Sequence, residues 1–242
     1  IKRTPSGAVL VYFSDGDRSG VELIDPETAA ALGPYEPPAV MRWMKNLHRS
    51  FLLDETGRIA TGTTATLMLL LSLSGAFLLA ARSGGWRKIF HPVCGTGPQR
   101  LHVTLSRIAV CGLLLSASTG LYLSAGSLEL IPDAAEAEAE FPAEAISGTP
   151  LPVQSLTALQ TTDLNDLREL VYPYAGNPAD PYSLLTNHGA GIIHPATGAL
   201  IAFEAHSARR KIYEFIYLLH TGEGLWWLAL LLGLCALCVP AL

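Results

Sequence analysis

Charge is what this sequence has least of. Asp, Glu, Lys and Arg make up 15% of its 242 residues, where soluble domains carry about 25%. A basic excess is missing too: 16 Lys and Arg stand against 21 Asp and Glu, a formal net charge of -5. That excludes nucleic-acid binding as the main task. Half of the residues are hydrophobic, which excludes a disordered chain. Cysteine is scarce. Cys94, Cys111, Cys235 and Cys238 lie in apolar surroundings and are too few for a disulfide framework. No nucleophile with a base, no metal-ligand cluster and no nucleotide loop stands out, so the catalytic residues are unknown at this level. No signal peptide is visible. A chain that starts at Ile1 and stops in an apolar run at Leu242 reads as a piece of something longer, with a further span expected ahead of it.

What is present is a set of long uncharged runs. Ile59–Ala81, Ile108–Leu128 and Leu225–Leu242 hold no charged residue, and about 20 such residues in a helix cross the hydrocarbon core of a bilayer. The alternative, helices buried in a soluble protein, does not suit runs of this length. Three transmembrane helices are expected. Arg82, Arg87, Lys88, Arg100 and Arg107 flank the first two runs with no Asp or Glu among them, which places that short loop in the cytoplasm. Gly126–Ser207 carries Arg168 as its single basic residue against eleven acidic ones and is expected outside, together with residues 1–58. Arg209, Arg210 and Lys211 run against this orientation.

Seven segments follow: an outer segment over residues 1–38, an amphipathic interfacial helix over 39–56, a span over 57–82, a cytoplasmic loop over 83–98, a span over 99–126, an outer domain with an acidic linker over 127–207, and a membrane-proximal helix with the third span over 208–242. The outer parts read as two small α+β modules. Ala8–Phe13 and Val21–Ile24 are apolar strands around a turn at Ser14–Asp17, and Ile24-Asp25-Pro26-Glu27-Thr28 returns as Ile193-His194-Pro195-Ala196-Thr197. Asp133–Ala145 is an Ala/Glu tract expected to be a linker or a loose surface helix. Leu156, Leu159, Leu164, Leu167 and Leu170 predict one amphipathic helix over 155–172.

The histidines carry the chemical signal. His48 ends an amphipathic helix leading into the first span, and His220 sits about one turn ahead of the third apolar run. Both are expected near the outer face. His102 opens the second span near the cytoplasmic face, and His91 lies in the basic loop. Ionisable side chains at membrane depth are costly and mark function, and a neutral imidazole projecting into a bundle is a usual axial ligand for haem iron. A single interfacial histidine is also often only an amphipathic residue at headgroup level. Gly62, Gly75, Gly112, Gly120, Gly222, Gly224 and Gly233 punctuate the helices and serve either helix packing or cofactor clearance. Cys235 and Cys238 imitate a redox pair, but no basic neighbour lowers a thiol pKa there, so they read as packing. His188, His194 and His206 are expected at the surface of the outer domain.

Several of these stretches resemble the PepSY-associated transmembrane family. They are Leu47-His48-Arg49-Ser50-Phe51-Leu52 with Gly57-Arg58, Gly84-Gly85-Trp86-Arg87-Lys88-Ile89-Phe90, Arg100-Leu101-His102-Val103-Thr104-Leu105-Ser106-Arg107, Thr119-Gly120-Leu121-Tyr122-Leu123 and Leu219-His220-Thr221-Gly222. Asp25-Pro26-Glu27-Thr28 is similar to the Asp-Pro-x-Thr-Gly turn of the PepSY domain, with Ala29 where the Gly stands, and the later copy has His194 for the Asp. The resemblance implies a membrane α-helical bundle of four spans, three of them here, with small α+β PepSY-like modules in the periplasm of a bacterial inner-membrane protein. It implies two b-type haems. His48 and His220 hold the outer one; His102 holds the inner one with a partner on a helix ahead of this chain, or with His91. Arg49, Arg100 and Arg107 are candidates to pair with haem propionates, or else snorkel to lipid headgroups. The family includes ferric-siderophore reductases, some fused to a flavodoxin/NADPH-reductase module. Electrons are then expected to come from NAD(P)H through FAD or FMN in a domain outside this chain, supplied by a cytoplasmic flavoprotein, and to leave to a periplasmic ferric chelate. A non-redox periplasmic binding or regulatory membrane protein is the alternative. An iron transporter is disfavoured by the lack of intramembrane carboxylates.

Overall fold

The computed structural model describes residues 1–4, 7–15, 18–92, 95–132, 134, 137–140, 148–174, 177, 180–223 and 225–238. Contacts divide the chain into a sheet unit, Ile1–Pro37 with Ala135–Lys211, and a helical unit, Pro38–Ala134 with Ile212–Leu242.

The sheet unit is built from β1 (Lys2–Arg3), β2 (Val9–Asp15), β3 (Arg18–Ile24), β4 (Ala31–Pro34), β5 (Leu167–Val171), β6 (Tyr182–Thr186), β7 (Gly189–Ile193) and β8 (Leu200–Ala205). All pairings are antiparallel, and the order is β4-β3-β2-β1-β5-β6-β7-β8. The two expected modules are therefore one sheet. β1 joins them, pairing with β2 on one side and with β5 on the other through Lys2 and Glu169. Leu156, Ala158, Leu170, Tyr182, Leu184 and Ile193 form the core on the β5–β8 side.

The repeated turn is real at the level of hydrogen bonds. Asp25 N–H donates to Ala30 O, and Ala29 N–H donates to Asp25 O. His194 N–H donates to Ala199 O, and Gly198 N–H donates to His194 O. Asp25 Oδ1 accepts from Glu27 N–H at 2.9 Å, and His194 Nδ1 accepts from Ala196 N–H at 3.1 Å. Thr28 and Thr197 hydroxyls close both turns on the residue two further along. Ala29 and Gly198 take the same left-handed conformation, at φ 56° and 70°. His194 thus replaces the carboxylate as the acceptor of an Asx-type turn.

The helix expected over 155–172 is not formed. A 3-10 turn at Val153–Ser155, one helical turn α4 (Thr157–Gln160), and strand β5 stand in its place. Thr161 and Thr162 hydroxyls donate to Ala158 O, and Asp163 Oδ1 accepts from Asn165 N–H. These local bonds compete with the helical ladder and end it. Leu167 and Leu170, read as one helical face, are instead strand residues paired with β6. His206 is not a surface residue either: it is 4% exposed, with Nδ1 accepting from Ala137 N–H at 3.3 Å and Nε2 facing Thr186 O at 3.2 Å. Most of the Ala/Glu tract, and Gly16 and Asp17 of the first turn, lie outside the described residues.

In the helical unit, α1 (Ala39–Ser50), α2 (Asp54–Arg82), α3 (Gly97–Ser127), α5 (Ala208–Thr221, entering from the sheet unit) and α6 (Trp226–Cys238) follow the apolar runs. α2 and α3 are each long and apolar enough to cross a membrane, and α5 with α6 form a third candidate bent by 56°. Thr96 and Gln99 make a capping box at the start of α3, so that helix begins slightly ahead of the expected point. The faces of α2 and α3 that are buried carry small residues: Gly57, Gly62, Ser72, Ala76 and Ala80 on α2, and Ala109, Gly112, Ala117 and Thr119 on α3. Leu67, Leu70, Leu71, Phe77 and Leu78 point outward. Small residues inside and large apolar ones outside is the pattern of helices packed in lipid. Gly75 and Gly233 face open space and serve no close approach.

Candidate functional site

The helical unit brings together two of the expected histidines. The rings of His48 on α1 and His220 on α5 lie 6.0 Å apart between centroids, with their planes 30° from parallel. Sequence places them far apart; the chain reversals ahead of α2 and α6 make them neighbours. α1 ends where Phe51, Leu52 and Asp54 all take positive φ, and the chain turns back so tightly that a Cβ on Gly57 would overlap the Ser50 carbonyl. Gly57 is thus required by the geometry that sets the end of α1, two residues beyond His48. On the other side, Gly222 at φ 68° closes α5 directly after the His220 turn, where a side chain would strike Ala229.

α3 supports the pair from beneath. A Cβ on Gly120 would stand 3.1 Å from His220 Cε1, so this glycine leaves room for the ring. Thr119, buried, places its Oγ1 3.0 Å from His220 Nδ1, and Ser116 O lies 3.3 Å from the same hydroxyl. Neither residue was singled out as a functional group by sequence reasoning. A hydroxyl next to a glycine in an otherwise apolar span was the available signal.

The remaining candidates are arranged differently. His102 is exposed near the start of α3 and has a contact of its own. It lies about 25 Å along the helix axis from Thr119, at about 1.5 Å per residue. His91 is exposed after the 3-10 turn Trp86–Lys88 that follows α2. Both therefore belong to the end of the bundle opposite the His48–His220 pair. Arg49 and Arg100 are exposed. Arg107 on α3 is half-buried, and its Nε is enclosed with no hydrogen-bond partner among the described residues.

The donor set fits a metal ion bound between two imidazoles. Metal–nitrogen bonds of about 2 Å on both sides, with about 1 Å from each nitrogen to its ring centre, separate two centroids by about 6 Å. Among the described residues no group of three or more His, Cys, Asp or Glu could hold a metal. Cys235 packs, as its apolar surroundings imply: it is buried against Gly112, and its thiol donates to Ile108 O at 3.4 Å. The Cys238 side chain and Cys94 lie outside the described residues.

The sheet unit holds a concavity of about 710 Å³, with Leu184, Gly191 and Ile192 among its apolar lining and Glu138, Glu140, Glu169 and Asp180 among its acidic lining.

Comparison with curated proteins and with solved structures gives no match. The family model described as PepSY-associated TM region matches residues 2–242. A match over nearly the whole length, to a chain with apolar spanning helices and an antiparallel sheet, leaves one assignment: this is a membrane protein of the PepSY-associated transmembrane family.

Proposed function

We propose that this chain is the haem-b-binding membrane part of an electron-transfer system. It carries electrons from cytoplasmic NAD(P)H, through a flavin held by another domain or protein, to a periplasmic acceptor such as a ferric siderophore. The observation that carries the reading is the His48–His220 pair, two imidazoles from different helices with ring centroids 6.0 Å apart, close enough that both could hold one metal ion. A haem bound there supplies a one-electron couple between ferric and ferrous iron. The chain's own residues do the rest. His48 and His220 would hold the iron, Gly120 leaves room for the His220 ring, and the apolar helices around a bound haem would exclude water, which raises the influence of nearby charges on the potential. Arg49, exposed beside His48 in the sequence, is the residue proposed to pair with a propionate carboxylate. His102 is the ligand proposed for a second haem near the opposite end of α3, and its partner lies on a preceding helix or is His91. Arg100 and Arg107 lie near that end. The chain is proposed to sit in a bacterial inner membrane, with the sheet unit in the periplasm and the Arg82–Arg107 segment in the cytoplasm.

The acidic concavity on the sheet favours a second reading, a non-redox binding or regulatory protein whose sheet recognises a cationic or peptide ligand while the helices anchor it. Spectra of the purified protein separate the two. Sharp b-type α and Soret bands on reduction support the first reading, and a featureless spectrum from folded protein produced with haem available supports the second.

A further inference from the structure

We infer that Thr119 is a positioning residue that fixes the proton of His220 on Nδ1 and so prepares Nε2 as a metal ligand; the inference rests on the reading of His220 as an axial ligand.

The argument is one of hydrogen count. A threonine hydroxyl has one hydrogen to give. Thr119 donates it within its own helix, to Leu115 O at 2.6 Å, with Ser116 O at 3.3 Å as the alternative acceptor. Toward His220 Nδ1, at 3.0 Å, Oγ1 can therefore only accept, and the ring nitrogen must carry the proton. A neutral imidazole with its proton on Nδ1 keeps a lone pair on Nε2. That is the form needed to ligate iron, and donation from the other nitrogen raises the ligand's basicity. Gly120 completes the device. By leaving room beside Cε1 it lets the ring approach α3 closely enough for the Thr119 bond. The hydroxyl spends its single hydrogen inside its own helix and leaves an oxygen lone pair for the ring.

Two measurements on the full chain in detergent or lipid test this. The first needs no haem: 15N-histidine NMR of the haem-free protein, with His220→Ala to assign the signal. It is expected to show His220 protonated on Nδ1, the minor tautomer of a free imidazole in water. An Nε2-protonated His220 overturns the inference. The second is a redox titration of the haem-loaded protein. Thr119→Val, which keeps the shape and removes the acceptor, is expected to raise the midpoint potential of the haem held by His48 and His220, and Thr119→Ser to restore the wild-type value. Equal potentials in all three overturn the inference while leaving the haem reading standing. A wild-type protein without haem bands removes that reading instead, and the NMR result then decides the tautomer alone. Should the valine variant not fold, the serine variant and the tautomer measurement still decide the outcome.

Discussion

Asp25 and His194 perform the same task in two copies of one turn: each accepts the backbone N–H two residues further on, Asp25 through a carboxylate oxygen and His194 through Nδ1. In each copy a strand leads into the turn and a second strand leaves it, β3 to β4 and β7 to β8. The helices that follow, α1 and α5, carry His48 and His220. A duplicated strand–turn–strand–helix unit thus delivers one histidine per copy. If the side chains at the two turns are equivalent acceptors, His194→Asp keeps the fold. His194→Leu leaves Ala196 N–H without its acceptor and costs about 0.5–1.5 kcal/mol, which thermal melts of the two variants will separate.

The first turn also gives a pH dependence. The Glu27 and Thr28 hydrogen bonds hold the Asp25 carboxyl below its ordinary range. A carboxyl whose folded pKa is depressed stabilises the fold above its unfolded value, about 4, and loses that contribution as pH falls through the folded value. Amide signals of Glu27 and Thr28 are expected to shift only below about pH 4, and Asp25→Asn to remove that transition.

Gly57→Ala tests whether the α1–α2 reversal sets the histidine spacing. Its Cβ would overlap the Ser50 carbonyl, a backbone atom that cannot rotate aside. The end of α1 must move, and His48 with it. Haem content is expected to fall by about tenfold or more, the scale of disturbed ligand support, with α2 and α3 intact by circular dichroism. Gly75→Ala, which meets nothing within 4 Å, is the control and is expected to retain haem.

Gly112 and Cys235 offer a packing test. A Cβ on Gly112 would stand 2.5 Å from Cys235 Cβ and 2.6 Å from Sγ, so Gly112→Ala is expected to destabilise the α3–α6 contact by about 1–3 kcal/mol. Cys235→Gly in the same chain removes both clashing atoms and is expected to recover part of the loss in thermal melts in detergent. Cys235 itself, buried and bonded to Ile108 O, is expected to resist thiol reagents in the folded protein.

The spanning helices were legible because burial in lipid leaves a one-dimensional record: long uncharged runs whose length matches the bilayer. The histidines drew attention because they stand at the ends of those runs, and the fold brings His48 and His220 together. The single sheet was not. Its defining pairing, Lys2 with Glu169, joins segments separated by two spanning helices, and strand periodicity says nothing about such partners. The leucines at 156–170 misled because their spacing suits a helix, while the break comes from Asp163 and the threonines at 161 and 162 bonding locally. Thr119 was hidden because a hydroxyl in a span normally bonds back to its own helix. It does so here, and its second lone pair becomes visible only when α5 lies alongside.

The most direct test is a dithionite-reduced minus oxidised visible spectrum of the detergent-purified protein, with a pyridine haemochrome count, for wild type, His48→Ala, His220→Ala and His91→Ala. The account expects b-type α and Soret bands in wild type. On the proposal that they hold one iron between them, the His48 and His220 variants should lose the same share of haem. Full haem content in either of those variants contradicts the shared site, and a flat spectrum from folded wild-type protein contradicts the account as a whole.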